Sequence, residues 1–191
     1  MIGFAICGSF CNFKDTLSLL SEVKYKYKDV LPIMSENARN TDTRFFASKD
    51  FYEKVCEIAQ REPLCTITQT EPIGPKGLID LLIICPCTGN TLSKLSCGIT
   101  DTAVTMAAKS HLRVGGKTVI ALSTNDALGG SFESVAKMMN RKNIFFVPLH
   151  QDDHVKKPSS LVFIKPLLIP TVEAAYEGKQ LQPVFDKPSN E

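Results

Sequence analysis

Residues 81–101, LLIICPCTGNTLSKLSCGITD, contain the clearest secondary-structure signal in this chain. The unbroken apolar run Leu81–Cys85 is typical of a strand that is buried on both faces of a parallel sheet. Small hydroxyl and amide residues follow Pro86, and a helical pattern runs from Thr91 to Ser96. The segment therefore predicts a central strand, then a polar loop, then a helix.

Strands and helices alternate on both sides of this segment. Apolar runs predict further strands at Ile2–Cys7, Asp29–Met34, Leu64–Thr70, Lys117–Leu122 and Ile144–Val147. Capping residues predict one helix after Asn12 or Asp15 and another after Ser131, whose apolar stripe is Phe132, Val135, Ala136 and Met139. Helical spacing predicts three more helices. One contains Phe51, Val55 and Ile58, one spans Asp101–Leu112, and one contains Val172, Ala175 and Tyr176. Five or six strands separated by helices predict an α/β protein with a three-layer α/β/α, Rossmann-like (flavodoxin-like) fold and a mainly parallel sheet.

The length and composition of the chain exclude several classes of protein. Its 191 residues are 43% hydrophobic and 22% charged, which fits one domain, predicted over residues 1–180, with a polar tail at 181–191. The net charge of +2 gives no support to a nucleic-acid partner. No apolar run approaches the roughly 18 residues of a membrane span, and the N-terminus lacks the basic region of a signal peptide. We therefore expect a cytoplasmic protein without a membrane partner.

The cysteine and histidine spacings do not predict a metal site. The seven cysteines are dispersed in apolar segments and match no zinc motif, so buried, reduced thiols are expected. His150 and His154 have the spacing of a zinc pair on a helix. Pro148 and Pro158 flank them and indicate a loop, so we expect no metal there.

Two loops near the N-terminus are candidates for a phosphate site, because ligands of open α/β sheets bind at the carboxyl ends of the strands. Gly8, Ser9 and Phe10 follow the first strand and precede a helix, where a glycine and free N–H groups suit a phosphate. Ser35 follows the second strand and could reach the same group. The alternatives are an ordinary turn at Gly8 and a plain helix cap at Ser35.

The loop Cys87–Thr91 is the third candidate. Thr88, Asn90 and Thr91 offer hydrogen-bond donors and acceptors with little bulk, so a flat polar ring could lie against the backbone. N–H groups of the following helix could bond the carbonyls of such a ring. A capped helix in a structural turn is the alternative.

The run from Pro86 to Thr105 resembles the signature of the flavoprotein superfamily, which includes flavin-containing cysteine decarboxylases and flavin prenyltransferases. It reads P-C-T-G-N-T-x-x-K-x-x-x-G-x-x-D-x-x-x-T here, against roughly P-x-S-x-N-T-x-x-K-x-x-x-G-x-x-D-x-x-x-T in the superfamily. The resemblance implies an FMN cofactor. It also implies a homo-oligomer, with a trimer as its candidate unit, in which neighbouring subunits complete the flavin pocket.

The same resemblance implies which residues would hold FMN. The Gly8 loop and Ser35 match the positions that contact the FMN phosphate, and residues 123–126 match a loop that contacts flavin and substrate. The residues expected to contact the cofactor are Gly8, Ser9, Phe10, Ser35, Cys87, Thr88, Asn90, Thr91, Ser123 and Asn125.

Residues 1–180 resemble one branch in more detail, the B subunits of dipicolinate synthase in spore-forming bacteria. The segments MIGFAICGSFCNF, residues 1–13, and IALSTNDALGGSFESVAKMMNRKN, residues 120–143, carry this resemblance with the central motif. It implies an oxidoreductase of sporulation. The implied partner is the A subunit of dipicolinate synthase, which has a nicotinamide-type Rossmann motif. Together the two chains would convert a cyclic (hydroxy)tetrahydrodipicolinate to aromatic pyridine-2,6-dicarboxylate.

A small dicarboxylate substrate needs cationic or amide partners. Lys76, in a glycine-flanked loop that could act as a lid, and Asn125 are the candidates. Lys94 and Arg113 are further cations, for which a neighbouring carboxylate and a helix dipole are the alternative explanations. No proton-transfer residue is predicted.

Two departures from the superfamily pattern limit the resemblance. Pro72 stands where the decarboxylases carry a catalytic His, which argues against cysteine decarboxylation. Of the decarboxylase loop P-A-M-N, the chain keeps only Asn125, and the R-E-T-P pattern of prenyltransferases is also missing. Two alternatives stay open, a flavin prenyltransferase-like enzyme and a non-catalytic chain that stabilises the A subunit without flavin.

Overall fold

In a computed structural model, which describes residues 1–185, seven strands form one sheet and eight α-helices flank it. The strands are β1 (Ile2–Ile6), β2 (Val30–Met34), β3 (Leu81–Cys87), β4 (Lys117–Thr124), β5 (Ile144–Phe146), β6 (Leu149–His150) and β7 (Leu161–Phe163). The helices are α1 (Phe13–Tyr27), α2 (Glu36–Asn40), α3 (Ser48–Ala59), α4 (Ile67–Thr70), α5 (Gly89–Ser96), α6 (Ala103–Leu112), α7 (Phe132–Met139) and α8 (Leu168–Tyr176). Within this range no helix is long and apolar enough to cross a membrane.

The sheet is mainly parallel and has β3 at its centre. The strand order is β2-β1-β3-β4-β7-β6, and β5 pairs with the first half of β4. Strands β1 to β5 run parallel, and every residue of β3 is buried, which explains its unbroken apolar sequence. Helix α1 packs against α3, and α5 packs against α6 and α7. The predicted α/β fold is confirmed.

The strand predicted at Leu64–Thr70 is wrong. Leu64 makes one bridge to Ile33, and the chain then turns into α4. The hydroxyl of Thr66 accepts a bond from the N–H of Gln69 (3.3 Å), and the side-chain oxygen of Gln69 accepts one from the N–H of Thr66 (3.1 Å). This reciprocal capping box stabilises the start of a helix, and it prevails over the short alternation of apolar residues.

The sequence prediction of five or six strands misses β6 and β7. Strand β7 pairs antiparallel with the end of β4, and β6 pairs antiparallel with β7. Strands of two and three residues are too short to produce a recognisable hydrophobic period. They extend the sheet beside the carboxyl end of β4.

The helix predicted after Ser131 is present as α7, but its buried face differs from the predicted stripe. Val135 and Met138 are buried, whereas Phe132 is 52% exposed and Ala136 is exposed. Ser131 occupies the N-cap position without a capping bond, because its hydroxyl bonds to the loop after β4 instead.

The first residues of the predicted C-terminal tail contact the sheet. The N–H of Leu149 donates to the carbonyl of Val184 (2.9 Å), and the side chain of Gln180 bonds both backbone groups of Phe146. These contacts cover part of the sheet edge. Residues 186–191 lie outside the described residues, and the domain boundary at residue 180 stays a prediction.

Candidate functional site

Four loops meet at the carboxyl edge of the parallel strands. They are Gly8–Asn12 after β1, Ser35–Asn37 after β2, Cys87–Thr91 at the end of β3, and Ser123–Asp126 at the end of β4. Because β1 to β4 run parallel, their carboxyl ends share one edge of the sheet. These four loops, called the carboxyl-edge site below, contain every residue that the sequence predicts to contact a cofactor.

Asn12 ties the loop after β1 to the loop after β4. Its side-chain amide donates to the hydroxyl of Ser9 (2.8 Å) and to the hydroxyl of Ser123 (2.9 Å). Both serines are half-buried. The two loops are therefore fixed relative to each other by one side chain, with their hydroxyl groups on the same edge.

This bridge corrects the prediction that Asn12 or Asp15 caps α1. Asn12 is at the N-cap position, but its side chain makes no capping bond. Asp15 pairs with Lys165 (2.6 Å). Both side chains bond to residues distant in sequence, which a local capping rule does not detect.

Thr88 positions the start of α5. Its hydroxyl accepts a bond from the N–H of Thr91 (3.1 Å) and donates to the Thr91 hydroxyl (3.1 Å). The first N–H groups of a helix lack intrahelical acceptors, and the helix dipole favours electron-rich groups there. The side chain of Asn90 is exposed beside them. The N–H groups at this helix start can therefore donate hydrogen bonds to the carbonyl oxygens of a ring.

Gly89 allows the loop after β4 to approach α5 closely. A Cβ atom at this position would lie 2.6 Å from Oγ1 of Thr124 and 2.9 Å from Oγ of Ser131. Both hydroxyls donate to the carboxylate of Asp126. This network holds the loop and leaves Asn125 exposed. Within the predicted loop 123–126, no sequence pattern singles out Thr124 and Asp126, because their network forms only where the loops meet.

The loops after β1 and β2 also pack against each other. Ser35 caps α2 by accepting from the N–H of Ala38 (3.3 Å), so the plain helix cap is present. A Cβ atom at Gly8 would lie 3.3 Å from Cβ of Asn37 and 3.4 Å from the Phe10 ring. The glycine therefore lets the two loops and the aromatic ring lie in contact.

Two cysteines at the site, Cys7 and Cys87, are buried thiols, whereas Cys11 in the loop after β1 is exposed. Burial raises the pKa of Cys7 to about 11 and raises the pKa of Cys87 well above its usual range. Thiols in such surroundings are poor nucleophiles, because the thiolate is the reactive form. Cys87 is fully buried, so neither its thiol nor its backbone is exposed at this edge in the single chain. All seven cysteines are free, but the expectation of buried thiols is wrong for Cys11 and Cys97, which are exposed.

Lys76, a predicted substrate-binding residue, does not lie at the carboxyl-edge site. It lies in the turn that precedes β3, and it is therefore at the amino edge of the sheet, opposite to the carboxyl-edge site within one chain. The expected lid is also anchored: the N–H of Gly74 donates to the hydroxyl of Ser110 (2.9 Å), and a Cβ atom at Gly74 would collide with the Ser110 carbonyl. The glycine here permits close packing rather than hinge motion.

The two other cations form ion pairs. Lys94 bonds to both carboxylate oxygens of Asp101 (2.9 and 2.8 Å), and Arg113 bonds to Glu71 (3.1 Å). Lys94 and Asp101 are both fixed positions of the superfamily motif. Their contact joins α5 to the segment before α6, which indicates a structural role for that part of the motif.

The histidines do not form a metal site. His150 belongs to β6, and His154 is exposed in the turn that follows, so the pair is not on a helix. Within residues 1–185 no group of three potential ligands is close enough to hold an ion. His111 is buried against Gly116, and burial lowers its pKa. It is thus a packed histidine of the core.

The carboxyl-edge site has the chemistry that a flavin nucleotide requires. Its four loops contain no lysine or arginine, so a phosphate would be bound by backbone N–H groups and by hydroxyls such as Ser9. The amide of Asn90 and the N–H groups of α5 match the polar edge of an isoalloxazine ring. The donor set therefore fits FMN.

Comparison with known proteins agrees with this fit. The flavoprotein family model matches residues 2–178. The chain is 39% identical over 184 residues to the dipicolinate synthase B subunit of Bacillus subtilis (strain 168), covering 96% of this chain and 92% of that protein. It is 34% identical over 110 residues to the coenzyme A biosynthesis bifunctional protein CoaBC of Thermococcus kodakarensis, covering 54% of this chain and 25% of that protein.

Solved structures also include a dipicolinate synthase B subunit and flavoproteins that share this fold. The crystal structure of the dipicolinate synthase B subunit from Bacillus halodurans C has a TM-score of 0.87 at 36% identity, over 97% of this chain and 95% of that one. The FMN-dependent cysteine decarboxylase SpaF shares the fold, with a TM-score of 0.68 at 16% identity over 93% and 95% of the two chains. The chain belongs to the flavoprotein family, in its branch of dipicolinate synthase B subunits.

Proposed function

We propose that the chain is the flavin-binding B subunit of a dipicolinate synthase and works with the A subunit to form pyridine-2,6-dicarboxylate from a (hydroxy)tetrahydrodipicolinate. The observation that carries this proposal is the Asn12 bridge between Ser9 and Ser123, which joins two predicted cofactor loops into one site. The 39% identity to a dipicolinate synthase B subunit supports the choice of reaction.

FMN is the proposed cofactor, and the carboxyl-edge site would hold it. The hydroxyl of Ser9 and the N–H groups of Phe10 and Cys11 would bind the phosphate, with Ser35 at the side. The N–H groups of Ser9 and Asn12 already donate to the carbonyls of Cys7 and Ser9. Thr88 would keep the start of α5 in place, and Asn90 would bond the ring edge. When bound, FMN supplies an acceptor for a hydride, which suits a reaction that ends in an aromatic ring.

The chain's own residues would position the reacting ring. Asn125, exposed next to the fixed Thr124–Asp126 network, would orient the substrate over the flavin. Pro72 occupies the position of the decarboxylase histidine, and a proline side chain cannot transfer a proton. This difference supports an oxidoreductase function rather than cysteine decarboxylation.

A homo-oligomer is part of the proposal. Asn90 and Asn125 are exposed in the single chain, so the open side of a bound flavin would be left to water unless another copy covers it. A neighbouring copy that closes the site would exclude water from the reacting ring. Light scattering on the purified protein, with and without FMN, measures this assembly directly.

Reconstitution tests the function. The chain is purified, loaded with FMN, supplied with the cyclic precursor and mixed with the A subunit, and pyridine-2,6-dicarboxylate is measured by its ultraviolet absorbance. We expect product formation to require both proteins and to fall when FMN is stripped from the chain. Equal activity with stripped protein would favour a stabilising role without flavin. A prenylated flavin, formed after adding dimethylallyl phosphate, would favour a prenyltransferase instead.

A further inference from the structure

A second cavity lies beside the carboxyl-edge site, on the side of the antiparallel strands. Its volume is about 430 Å³. Asn12 and Ser123 line it and belong to both sites. The cofactor proposal uses none of the other lining residues, which are His150, Asp152, Val162, Phe163, Ile164, Lys165 and Pro166.

The sheet register places Ser123 and His150 on the same face. Ser123 of β4 pairs with Val162 of β7, and Val162 pairs with His150 of β6. Side chains of directly paired residues point to the same side of a sheet. Two strand spacings separate Ser123 from His150, roughly 10 Å. The neighbouring residues Leu161 and Phe163 are buried on the other face.

The lining combines apolar walls with hydrogen-bond donors. Val162 and Ile164 provide apolar surface. The Ser123 hydroxyl accepts a bond from Asn12, so its own hydrogen is available to a ligand. Lys165 uses one of its donors on Asp15 (2.6 Å) and has others available.

The carboxylate of Asp152 also lines the cavity, and its negative charge would repel an acidic ligand. Lys157 bonds to this carboxylate (2.8 Å), and this contact holds the pKa of Asp152 below its usual range. Its charge is therefore compensated by a lysine outside the lining. The donors that remain free at the cavity are those of Ser123, His150 and Lys165.

We propose that this cavity binds the substrate as a small ring that carries carboxylates, with His150 and Lys165 as carboxylate partners and Ser123 where the cavity borders the carboxyl-edge site. An apolar wall suits a flat ring, and convergent donors at the rim suit its acidic substituents. The inference rests on the proposed function. It places the ring substrate of that function beside its cofactor. It assigns substrate recognition to His150 and Lys165 rather than to Lys76.

Calorimetry with pyridine-2,6-dicarboxylate as the probe tests this assignment on the full chain loaded with FMN. We expect His150→Gln and Lys165→Met each to weaken binding by tenfold or more. The matched controls are His154→Gln and Lys156→Met, which change exposed residues of the same hairpin outside the cavity lining. The controls should bind the probe like the unmodified protein, and FMN affinity should be the same in all variants.

The outcomes separate this inference from the proposed function. Failure of the FMN-loaded protein to bind the probe, or equal binding by all four variants, would overturn the inference and leave the cofactor proposal standing. If the unmodified chain binds no FMN, the proposed function fails. The same titration on the flavin-free chain then tests the cavity alone, and a tenfold loss confined to His150→Gln and Lys165→Met would still support it.

Discussion

The side-chain amide of Asn12 donates a 2.9 Å hydrogen bond to the hydroxyl of Ser123, a residue 111 positions away in the chain. Because the same amide also bonds Ser9, one side chain connects the loops after β1 and β4. Asn12 and Ser123 belong to the proposed FMN site and also line the proposed substrate cavity.

The bridge predicts energetic coupling between its two ends. Ser123→Ala should lower the free energy of unfolding by about 1 kcal/mol, the usual net worth of a hydrogen bond, and Asn12→Ala by about 2 kcal/mol, because it removes the bonds to both Ser9 and Ser123. In the double variant the losses should fall short of their sum by about 0.5–1.5 kcal/mol, because the second change removes a bond that is already lost. Urea unfolding measures all four proteins. Strict additivity would mean that the bond does not form in solution.

Thr88 should act on both stability and FMN affinity. Thr88→Ala removes the N-cap of α5 and should cost about 1 kcal/mol of unfolding free energy. Thr102→Ala is a matched control, since Thr102 caps α6 in the same way, through the N–H of Thr105 (3.1 Å). We expect similar stability losses and a weaker FMN affinity for Thr88→Ala alone. Equal FMN affinities in the two variants would remove Thr88 from the site.

Gly89 should tolerate no side chain. In Gly89→Ala the new methyl group would lie 2.6 Å from Oγ1 of Thr124, so the loop after β4 must shift, at a cost of about 1–3 kcal/mol. Gly129→Ala is the control, because a Cβ atom there meets its nearest neighbour at an ordinary 3.6 Å. Thermal unfolding should separate the two variants. A fully stable Gly89→Ala protein would contradict the close approach of α5 and this loop.

Cys7 should make the fold less stable in alkali. Its pKa is raised from 9.0 to about 11 by burial, so above pH 9 the unfolded chain loses this proton while the folded chain keeps it. Stability should therefore fall as the pH rises from 9 towards 11, by up to about 1.4 kcal/mol per pH unit from this one thiol. Urea titrations across this range should show a shallower decline for Cys7→Ala. The control Cys11→Ala, which changes an exposed thiol, should decline like the unmodified protein.

Local patterns predicted much of the fold. The apolar run Leu81–Cys85 identified the central strand, because a strand covered on both faces needs no polar residues. The helix predicted at Thr91–Ser96 is present, but it begins two residues earlier, at Gly89, because the Thr88 hydroxyl caps it. The failures at Leu64–Thr70 and in β6 and β7 involve elements of two to four residues, where a capping box or a distant pairing decides the structure.

The candidate site was only partly predictable. Its loops follow from the parallel order of the strands, and the family motif supplied Asn90 and Thr91. The bridge from Asn12 to Ser123 depends on contacts between residues far apart in sequence. His150 was considered only as a metal ligand, because its register opposite Ser123 depends on two strands that the sequence did not reveal.

Titration of the purified chain with FMN, followed by flavin absorbance and fluorescence, tests the central claim most directly. The matched variants are Asn90→Ala, which removes an exposed amide inside the carboxyl-edge site, and Asn40→Ala, which removes an exposed amide outside it. We expect saturable quenching with a shifted flavin band, a clear loss of affinity in Asn90→Ala and none in Asn40→Ala, with all three proteins equally stable. An unmodified chain that leaves the flavin spectrum unchanged at high FMN concentration would contradict the account.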